Sequence, residues 1–287
     1  MNNVKKDIRK PKCKEHAFVT ILYGDKPAWL EMAMAMGYTL KTNGMPGEAY
    51  RMILLAVDVP KDMTRILHKL GFEIRNVEMP WLEKGIPRPP RAGTFAKLLL
   101  WNMLDLKKLV FLDTDTMILS DITNLFESPD FSVVPFPDVG EGYLNTGVFV
   151  TEPSSDTYEE LMEMYRKGDY PHTKYDSEEN ITEQDLLIEY FSVRNKDRLH
   201  LLPEKYNFRL WREKKMGKMQ DWKNASIIHG QIGWLDYESQ HFKELQQKWQ
   251  VSLRAAKKSV YPSPFWLYWS LRKYMRILLN RLSSRKN

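Results

Sequence analysis

Apolar runs and amphipathic stretches alternate along the first eighty residues, and this pattern predicts strands and helices in turn. Alternating strands and helices are typical of an α/β domain built on a parallel sheet. The predicted strands cover residues 16–23, 51–58 and 72–77, and the predicted helices between them cover residues 29–41 and 60–70.

A loop rich in Pro, Gly and Arg follows at residues 79–93, and we expect it to be functional because long loops in compact domains usually are. The pattern then continues to the C-terminal part of the chain. It predicts a helix over residues 95–104 capped by Thr94, a helical turn over 121–126, helices over 156–167 and 182–191, and strands over 109–112, 131–135, 144–151, 198–202 and 226–229.

The composition is that of a globular protein. Of the 287 residues, 43% are hydrophobic and 28% charged, so a sizeable core can form. The single cysteine, Cys13, excludes an intramolecular disulfide and fits a reducing compartment. The first residues are polar and basic and lack the apolar core of a secretory signal, so we expect a cytoplasmic protein.

The positive charge is concentrated at the C-terminus: residues 245–287 contain ten Lys and Arg and no Asp or Glu. Residues 263–287 combine aromatic residues with apolar positions at near-helical spacing, and interspersed basic residues leave no run long enough to span a bilayer. Such an amphipathic basic helix suits an anionic membrane interface; the alternative is a helix docked on the domain with a solvated basic face. The predicted organisation is a basic leader (1–14), an α/β domain (15–245) and a C-terminal helical tail (246–287), with no nucleic-acid partner expected.

A hydrophobic strand runs directly into two aspartates in the sequence KLVFLDTDTMILSD, residues 108–121. One residue separates Asp113 from Asp115, so their carboxylates can converge at the end of the strand. Ligands bind at the carboxyl edge of open α/β sheets, and a divalent cation with oxygen ligands would remove the repulsion between the carboxylates. A turn or a helix cap is the alternative interpretation.

Two enzyme classes place such a triplet after a strand. Haloacid dehalogenase-like phosphatases carry it on their first strand and have Thr or Val where this chain has Met117. Three predicted strands precede the triplet here, and no later Asp-Asp dipeptide occurs, so a phosphatase is the less favoured alternative. The other class is the nucleotide-sugar glycosyltransferases, whose triplet holds Mn²⁺ on the donor diphosphate.

Further motifs, in order and at compatible spacing, resemble those of the family 8 glycosyltransferases, the group that contains glycogenin and galactinol synthase. They extend over about residues 17–234 and include AFVTILYGD, TFAKLLLWNM, VFLDTDTMIL, LNTGVFV, TEQDLL, LPEKYNF and IIHGQIGW. The resemblance implies a GT-A fold, which is a Rossmann-like, mostly parallel mixed sheet flanked by helices. It also implies retaining transfer of a hexose or related sugar from a UDP-sugar to a separate glycan, lipid-linked or protein acceptor.

The resemblance further implies roles for individual residues. Asp113, Asp115 and His229 would ligate Mn²⁺, or Mg²⁺ in its place, since imidazole and carboxylates suit such a metal. The donor would contact Ile21, Tyr23, Trp29, Lys97, Asn145, Thr146 and Gly230. The groups nearest the reacting carbon would be Asp138, Glu183, Gln184 and Asp185.

Considered singly, these residues have other interpretations. His229 could be a satisfied core histidine, Lys97 a solvated helix lysine and Trp29 a core residue. Asn145 could serve only the turn before its strand.

The chain departs from the family pattern in two places. The family's last motif continues to a Lys that binds the diphosphate, whereas here it reads HGQIGW without that Lys. Arg88, Arg91, Arg209 and Arg212 are the candidates to replace it. Residues 208–228 also contain no Tyr, which disfavours the self-glucosylation of glycogenin and favours a separate acceptor.

Because Gln184 is a poor nucleophile, we expect front-face attack rather than a covalent glycosyl intermediate. The alternative function is a catalytically impaired protein of the same fold that binds a nucleotide sugar or a membrane. The missing Lys favours that alternative, and the intact DTD, Lys97 and His229 oppose it.

Overall fold

Four apolar segments form the parallel half of a seven-stranded sheet. The computed structural model describes residues 15–45, 50–81, 83–85, 91–136, 142–169, 181–209, 222–230, 232 and 240–261. The strands of the parallel half are β1 (His16–Tyr23), β2 (Arg51–Val57), β3 (Glu73–Asn76) and β4 (Lys108–Leu112). They run in the order β3-β2-β1-β4, and each confirms a predicted strand to within one residue at either end.

Antiparallel pairing extends this sheet beyond β4. Strands β6 (Ser132–Pro135), β7 (Leu144–Thr151) and β8 (His200–Leu201) complete the order β3-β2-β1-β4-β7-β6-β8. β7 is antiparallel to both β4 and β6, whereas β8 is parallel to β6. Every residue of β7 is buried, as expected for a strand in the middle of a sheet covered on both faces. The mixed, mostly parallel sheet flanked by helices is therefore confirmed.

A second sheet of three short strands lies beyond the DTD triplet. It consists of β5 (Thr116–Ile118), β10 (Ile227–His229) and β9 (Phe208–Arg209), in that order. β10 is antiparallel to β5 and parallel to β9. The sequence pattern predicts β10 but neither β5 nor β9, because two or three residues are too few to show an alternation.

The helices cover both faces of the main sheet. They are α1 (Pro27–Thr39), α2 (Lys61–Leu70), a 3₁₀ helix (Ala92–Asn102), α3 (Ser155–Lys167), α4 (Glu183–Ile188) and α5 (Gln240–Val260). One expectation about their ends is wrong: the helix after the Arg-rich loop begins at Ala92, and Thr94 lies inside it, where its hydroxyl donates to the Arg91 carbonyl. The predicted helix over residues 182–191 ends as an α-helix at Ile188 and continues as a π-helical turn, Glu189–Arg194.

Helix α5 continues across residue 246 and packs against α1. Its inward side chains Leu245, Trp249, Leu253 and Ala256 are buried in the same apolar cluster as α1. An ion pair joins the two helices, with Lys257 Nζ 2.9 Å from Glu31 Oε1. The basic leader and the helix predicted over residues 263–287 lie outside the described residues. Among the helices that are described, none combines the length and the apolarity needed to cross a membrane.

Candidate active site

A cavity of about 300 Å³ opens at the carboxyl edge of β1 and β4. Because these strands are parallel neighbours, their ends deliver Tyr23 and Asp113 to the same edge of the sheet. The predicted site residues that line this cavity are Ile21, Tyr23, Trp29, Lys97, Asp113, Asp115 and His229. Segments far apart in sequence thus meet where the pattern places a ligand.

The second sheet brings His229 to the aspartates. Thr116, directly after Asp115, is paired with His229 across β5 and β10, and the Gly230 amide donates to the Asp115 carbonyl at 3.1 Å. Asp113 is held in turn by its amide, which donates to the Gly147 carbonyl at 2.8 Å. As a result His229 Nε2 lies 3.2 Å from Asp115 Oδ1 and 3.7 Å from Asp113 Oδ2.

These three side chains offer ligand atoms that all lie within 4.8 Å of one another. Carboxylate oxygens and an imidazole nitrogen suit Mn²⁺ or Mg²⁺. The charges nearby also fit a dication, since Asp113, Asp115 and Glu183 carry three negative charges and Lys97, which is paired with two of them, carries one positive charge. The residues present therefore fit a divalent metal.

Burial acts strongly on both aspartates. It raises the pKa of Asp113, against the opposing charges of Lys97 and His229. Burial alone would also raise the pKa of Asp115, but the facing His229 lowers it below its usual value through its charge and its hydrogen bond. The difference follows from geometry, because Asp115 lies closer to the imidazole than Asp113 does.

The ammonium of Lys97 is buried and lies between acidic groups. Nζ is 2.7 Å from Glu183 Oε1, 3.1 Å from Asp113 Oδ1 and 3.1 Å from the Thr146 carbonyl. It also lies 4.8 Å from the centre of the Phe111 ring, close enough for a cation–π contact. Burial would lower the pKa of Lys97, yet the two carboxylates raise it above the usual value, so the residue stays charged and is not a solvated helix lysine.

The start of β7 and the start of α4 meet beside this lysine. The Thr146 hydroxyl donates to Glu183 Oε1 at 2.9 Å, and the Thr146 amide donates to Gln184 Oε1 at 3.2 Å. Asn145, also at the start of β7, is buried, and its Oδ1 accepts from the Gly147 amide at 3.1 Å. The predicted donor pair and the Glu-Gln pair therefore form one connected cluster with Lys97.

Asp185 has the contacts of a helix cap. Its Oδ2 accepts from the Thr182 amide at 2.8 Å, completing a capping box at the start of α4. Burial, with the charge of Glu183, raises the pKa of Asp185 to about 6. Asp138, the other carboxylate expected near the reacting carbon, lies outside the described residues.

Two aromatic side chains line the cavity together with the acidic groups. Tyr23 and Trp29 meet edge to face with ring centres 4.6 Å apart, and Trp29 is only partly buried. A Cβ at Gly93 would lie 3.1 Å from the Tyr23 ring, so the small residue lets the start of the 3₁₀ helix come close to that ring. Burial and the nearby Asp113 raise the pKa of Tyr23, which keeps the phenol protonated.

Of the four arginine candidates, Arg91 lines the cavity and is exposed. Arg209 is buried, donates from Nη1 to the Pro135 carbonyl at 3.1 Å and lies over the Phe136 ring. Arg88 and Arg212 lie outside the described residues.

The sequence did not assign a role to Asn207, although it lies within the LPEKYNF motif. Its side chain is fully buried, and its Oδ1 lies 2.8 Å from His229 Nδ1. Its Nδ2 donates to Asn145 Oδ1 at 2.7 Å. No local sequence signal could have found it, because β9, the strand that Asn207 precedes, has only two residues.

Comparison with known proteins adds to this geometry. No family model matches the chain. Glycogenin-1 of Mus musculus is 32% identical over 158 residues, which are 52% of this chain and 45% of that protein. Glycogenin-1 of Caenorhabditis elegans is 31% identical over 196 residues, 67% of this chain and 43% of that protein. The chain thus spans less than half the length of these relatives.

A galactinol synthase matches over more of its own length. Galactinol synthase 6 of Arabidopsis thaliana is 26% identical over 286 residues, covering 82% of this chain and 80% of that protein. Among solved structures, the galactosyltransferase LgtC with donor and acceptor sugar analogues aligns with a TM-score of 0.54 at 15% identity, covering 82% of this chain and all of that one. The bifunctional glycosyltransferase WbbM aligns with a TM-score of 0.59 at 14% identity, covering 90% of this chain and 52% of that one. The GT-A fold is therefore confirmed.

Proposed function

We propose that the chain, which is similar to glycogenins and to a galactinol synthase, is a family 8 glycosyltransferase that transfers a hexose or related sugar from a UDP-sugar to a separate acceptor. The observation that carries the proposal is the convergence of Asp113, Asp115 and His229 beside Lys97 in one cavity. A divalent cation bound there would offset the negative charges of both the aspartates and the UDP diphosphate.

The metal-binding residues would be Asp113, Asp115 and His229, with Mn²⁺ as the proposed ion. A bound divalent ion would supply Lewis-acid stabilisation of the charge that develops on the leaving diphosphate. Tyr23 and Trp29 would hold the uracil and ribose, since they form the aromatic wall of the cavity. Arg91 is the cation that we propose for the diphosphate in place of the absent family lysine, because its exposed side chain borders the same cavity.

The reaction we propose is front-face substitution with retention. The bond between the sugar carbon and the phosphate oxygen breaks and its electron pair leaves with UDP, while the acceptor oxygen bonds to that carbon and gives its proton to the departing phosphate. Glu183 is a poor nucleophile because Lys97 and Thr146 both contact its Oε1. Its role would be to hold Lys97, while Gln184 and Asn145 would hold the sugar.

The proposal is tested by measuring UDP release from a panel of UDP-sugars with Mn²⁺, Mg²⁺ or EDTA, with and without sugar and lipid-linked acceptors. We expect release with one donor that depends on the metal. Tight UDP binding without turnover of any donor would instead favour the impaired binding protein. Intact-mass measurement of quenched reactions checks the mechanism, and a sugar adduct on Asp138, Glu183 or Asp185 would overturn front-face attack.

We propose in addition that the C-terminal region contacts an anionic membrane surface from the cytoplasmic side. Beyond the acid-free sequence, the observation that favours it is the outward face of α5, where Lys248, Arg254 and Lys258 are exposed beside Val251. Basic residues near an anionic surface each favour binding. Flotation with phosphatidylserine liposomes, with and without residues 263–287, tests this: equal flotation of both chains would refute a role of the tail.

A further inference from the structure

Asn207 is a fully buried amide that connects two parts of the candidate site. It follows a 3₁₀ turn, Glu204–Tyr206, and leads into β9. On one side its Nδ2 donates to the Asn145 carbonyl at 3.2 Å and to Asn145 Oδ1 at 2.7 Å. On the other side its Oδ1 lies 2.8 Å from His229 Nδ1.

Backbone groups fix the orientation of both amides. The Gly147 amide can only donate, so the Asn145 atom that it contacts at 3.1 Å must be the oxygen. The Asn145 carbonyl can only accept, so the Asn207 atom facing it must be the nitrogen. The opposite end of Asn207 is therefore its oxygen.

The tautomer of His229 follows from that orientation. An oxygen at 2.8 Å requires Nδ1 to carry a hydrogen and to donate it. Nε2 is the atom that faces Asp115 Oδ1 at 3.2 Å, and it donates there when the ring is protonated. When a metal takes the place of that proton the ring is neutral, and its lone pair is then on Nε2. This is the tautomer that a metal shared with the two aspartates requires.

The backbone of Gly147 also lies close to the ring. A Cβ at Gly147 would lie 2.0 Å from His229 Cε1 and 2.5 Å from Nδ1, a distance at which a side chain cannot coexist with the imidazole. Gly147 therefore packs closely against the ring at Cε1. The imidazole is thus held at Nδ1 by Asn207 and contacted at Cε1 by Gly147.

We propose that Asn207 is a positioning residue that orients the metal-binding edge of His229 and the amide of Asn145 at the same time. Metal affinity and recognition of the donor sugar would then both depend on one buried side chain. The proposal rests on the proposed function for the ligand role of His229 and the sugar contact of Asn145, but the hydrogen on Nδ1 does not depend on either.

Two variants separate the contact that Asn207 makes through Oδ1 from the contacts it makes through Nδ2. Asn207→Leu has nearly the same shape and removes both hydrogen-bonding ends. Asn207→Asp keeps an oxygen to accept from Nδ1–H but cannot donate to Asn145. Asn195→Leu is the control, because it removes a side-chain hydrogen bond to the Tyr190 carbonyl away from the site.

The first measurement is ¹⁵N-histidine NMR of the metal-free proteins, with His229→Gln identifying the His229 signal. We expect a slowly exchanging Nδ1–H in the parent chain, in Asn207→Asp and in the control, and its loss in Asn207→Leu. The second measurement is Mn²⁺ binding by electron paramagnetic resonance. Asn207→Leu is expected to bind about 10–100-fold more weakly, while Asn207→Asp stays close to the parent.

Donor binding by calorimetry completes the test. Asn207→Asp is expected to lose the advantage that the UDP-sugar has over UDP alone, because Asn145 is no longer held. A protected Nδ1–H and unchanged Mn²⁺ affinity in Asn207→Leu would overturn the proposal. It would also be overturned if Asn207→Asp still bound the UDP-sugar more tightly than UDP by the same factor as the parent. A parent chain that binds no Mn²⁺ would refute the metal site of the proposed function, and the NMR signal would still decide the role of Asn207. Circular dichroism establishes folding. If Asn207→Leu does not fold, Asn207→Asp still tests the contact with Asn145, and the presence or absence of the Nδ1–H signal in the parent chain tests the contact with His229.

Discussion

Lys97 and Glu183 form a buried ion pair in which Nζ lies 2.7 Å from Oε1, with both side chains less than a tenth exposed. The pair joins the 3₁₀ helix Ala92–Asn102 to the start of α4. The same ammonium also lies 3.1 Å from Asp113 Oδ1, so the ion pair is connected to the DTD triplet. Charges are retained in such a place only when each has a partner, which makes the cluster a unit in stability as well as in function.

Replacing Lys97 by Met should destabilise the fold by about 3–5 kcal/mol, because it leaves buried carboxylates without their cation. The double variant Lys97→Met/Glu183→Gln should recover part of that loss, giving a non-additive cycle. Neither should turn over donor. Urea unfolding measures the free energies, and Lys107→Met, which removes an exposed pair with Glu15, should change them by less than about 0.5 kcal/mol. A purely additive cycle would contradict the coupling.

Asp115→Asn should abolish metal-dependent UDP release while the far-ultraviolet circular dichroism stays unchanged. The amide lacks the charge that the metal site needs, and the Gly230 amide contacts the Asp115 backbone rather than its side chain. The matched control is Asp121→Asn in the same stretch of sequence, since Asp121 Oδ1 accepts from the amide and hydroxyl of Thr123. Retained activity in Asp115→Asn, or loss in Asp121→Asn, would show that the metal site is misplaced.

Asp185→Asn should remain active, whereas Glu183→Gln should not, because Asp185 caps α4 and Glu183 holds Lys97. The stability of the parent should also fall as pH rises from about 4 to about 6. An unfolded Asp loses its proton near pH 3.9, while the folded Asp185 keeps its proton until about pH 6, so the native state binds more protons in that window. Chemical unfolding of both chains from pH 4 to 7 should show a shallower fall in Asp185→Asn. An inactive Asp185→Asn would show that this carboxylate takes part in the reaction.

The sequence predicted the main sheet well because its strands are long enough to show a pattern. The DTD triplet, Lys97 and His229 were also identified from the sequence, but their contacts in the fold were not. The contact of His229 with the aspartates depends on the pairing of β5 with β10, and the three residues of β5 carry no periodic signal. Long-range pairing of short strands is set by tertiary packing, which a single sequence does not encode locally.

Two side chains show where sequence reasoning could have gone further. Thr182 and Asp185 have the spacing of a capping box directly before an apolar run, so the structural role of Asp185 was readable. Asn207 was not, because its partners Asn145 and His229 are 62 and 22 residues away. Buried amide networks of this kind become visible only once the fold is known.

Acid should remove the stabilisation given by the ion pairs that Asp105 forms with Arg51 and Arg75. These pairs lie at the amino edge of the main sheet, away from the candidate site. Arg75 contacts both carboxylate oxygens of Asp105, at 2.8 and 2.6 Å, and Arg51 contacts one at 3.0 Å. The hydrogen bonds from Arg75, opposed by partial burial, lower the pKa of Asp105 to about 2. A carboxyl group whose pKa is lower in the folded than in the unfolded state stabilises the fold above about pH 3.9. This stabilisation is lost as the pH falls toward 2.

Asp105→Asn should therefore be less stable than the parent at pH 7, and the difference should shrink as the pH falls toward 2. Thermal unfolding from pH 2 to 7 measures the difference. Asp197→Asn, at an exposed aspartate of a 3₁₀ turn, is the control and should run parallel to the parent. A constant difference between Asp105→Asn and the parent across this range would show that the network is not the cause.

Trp249→Ala should destabilise the whole domain by about 3–5 kcal/mol, the usual loss for a buried Trp. Trp249 is 4% exposed and lies in the same apolar cluster as Leu30 and Met34 of α1. Since Trp29 and Met32 of α1 line the candidate cavity, the variant should also weaken UDP binding. Val251→Ala, at a residue 63% exposed on the same helix, should stay within about 0.5 kcal/mol. Urea unfolding and calorimetry with UDP decide whether α5 is an integral part of the domain. If it were a separate tail, the domain would end before residue 246 and both variants would behave alike.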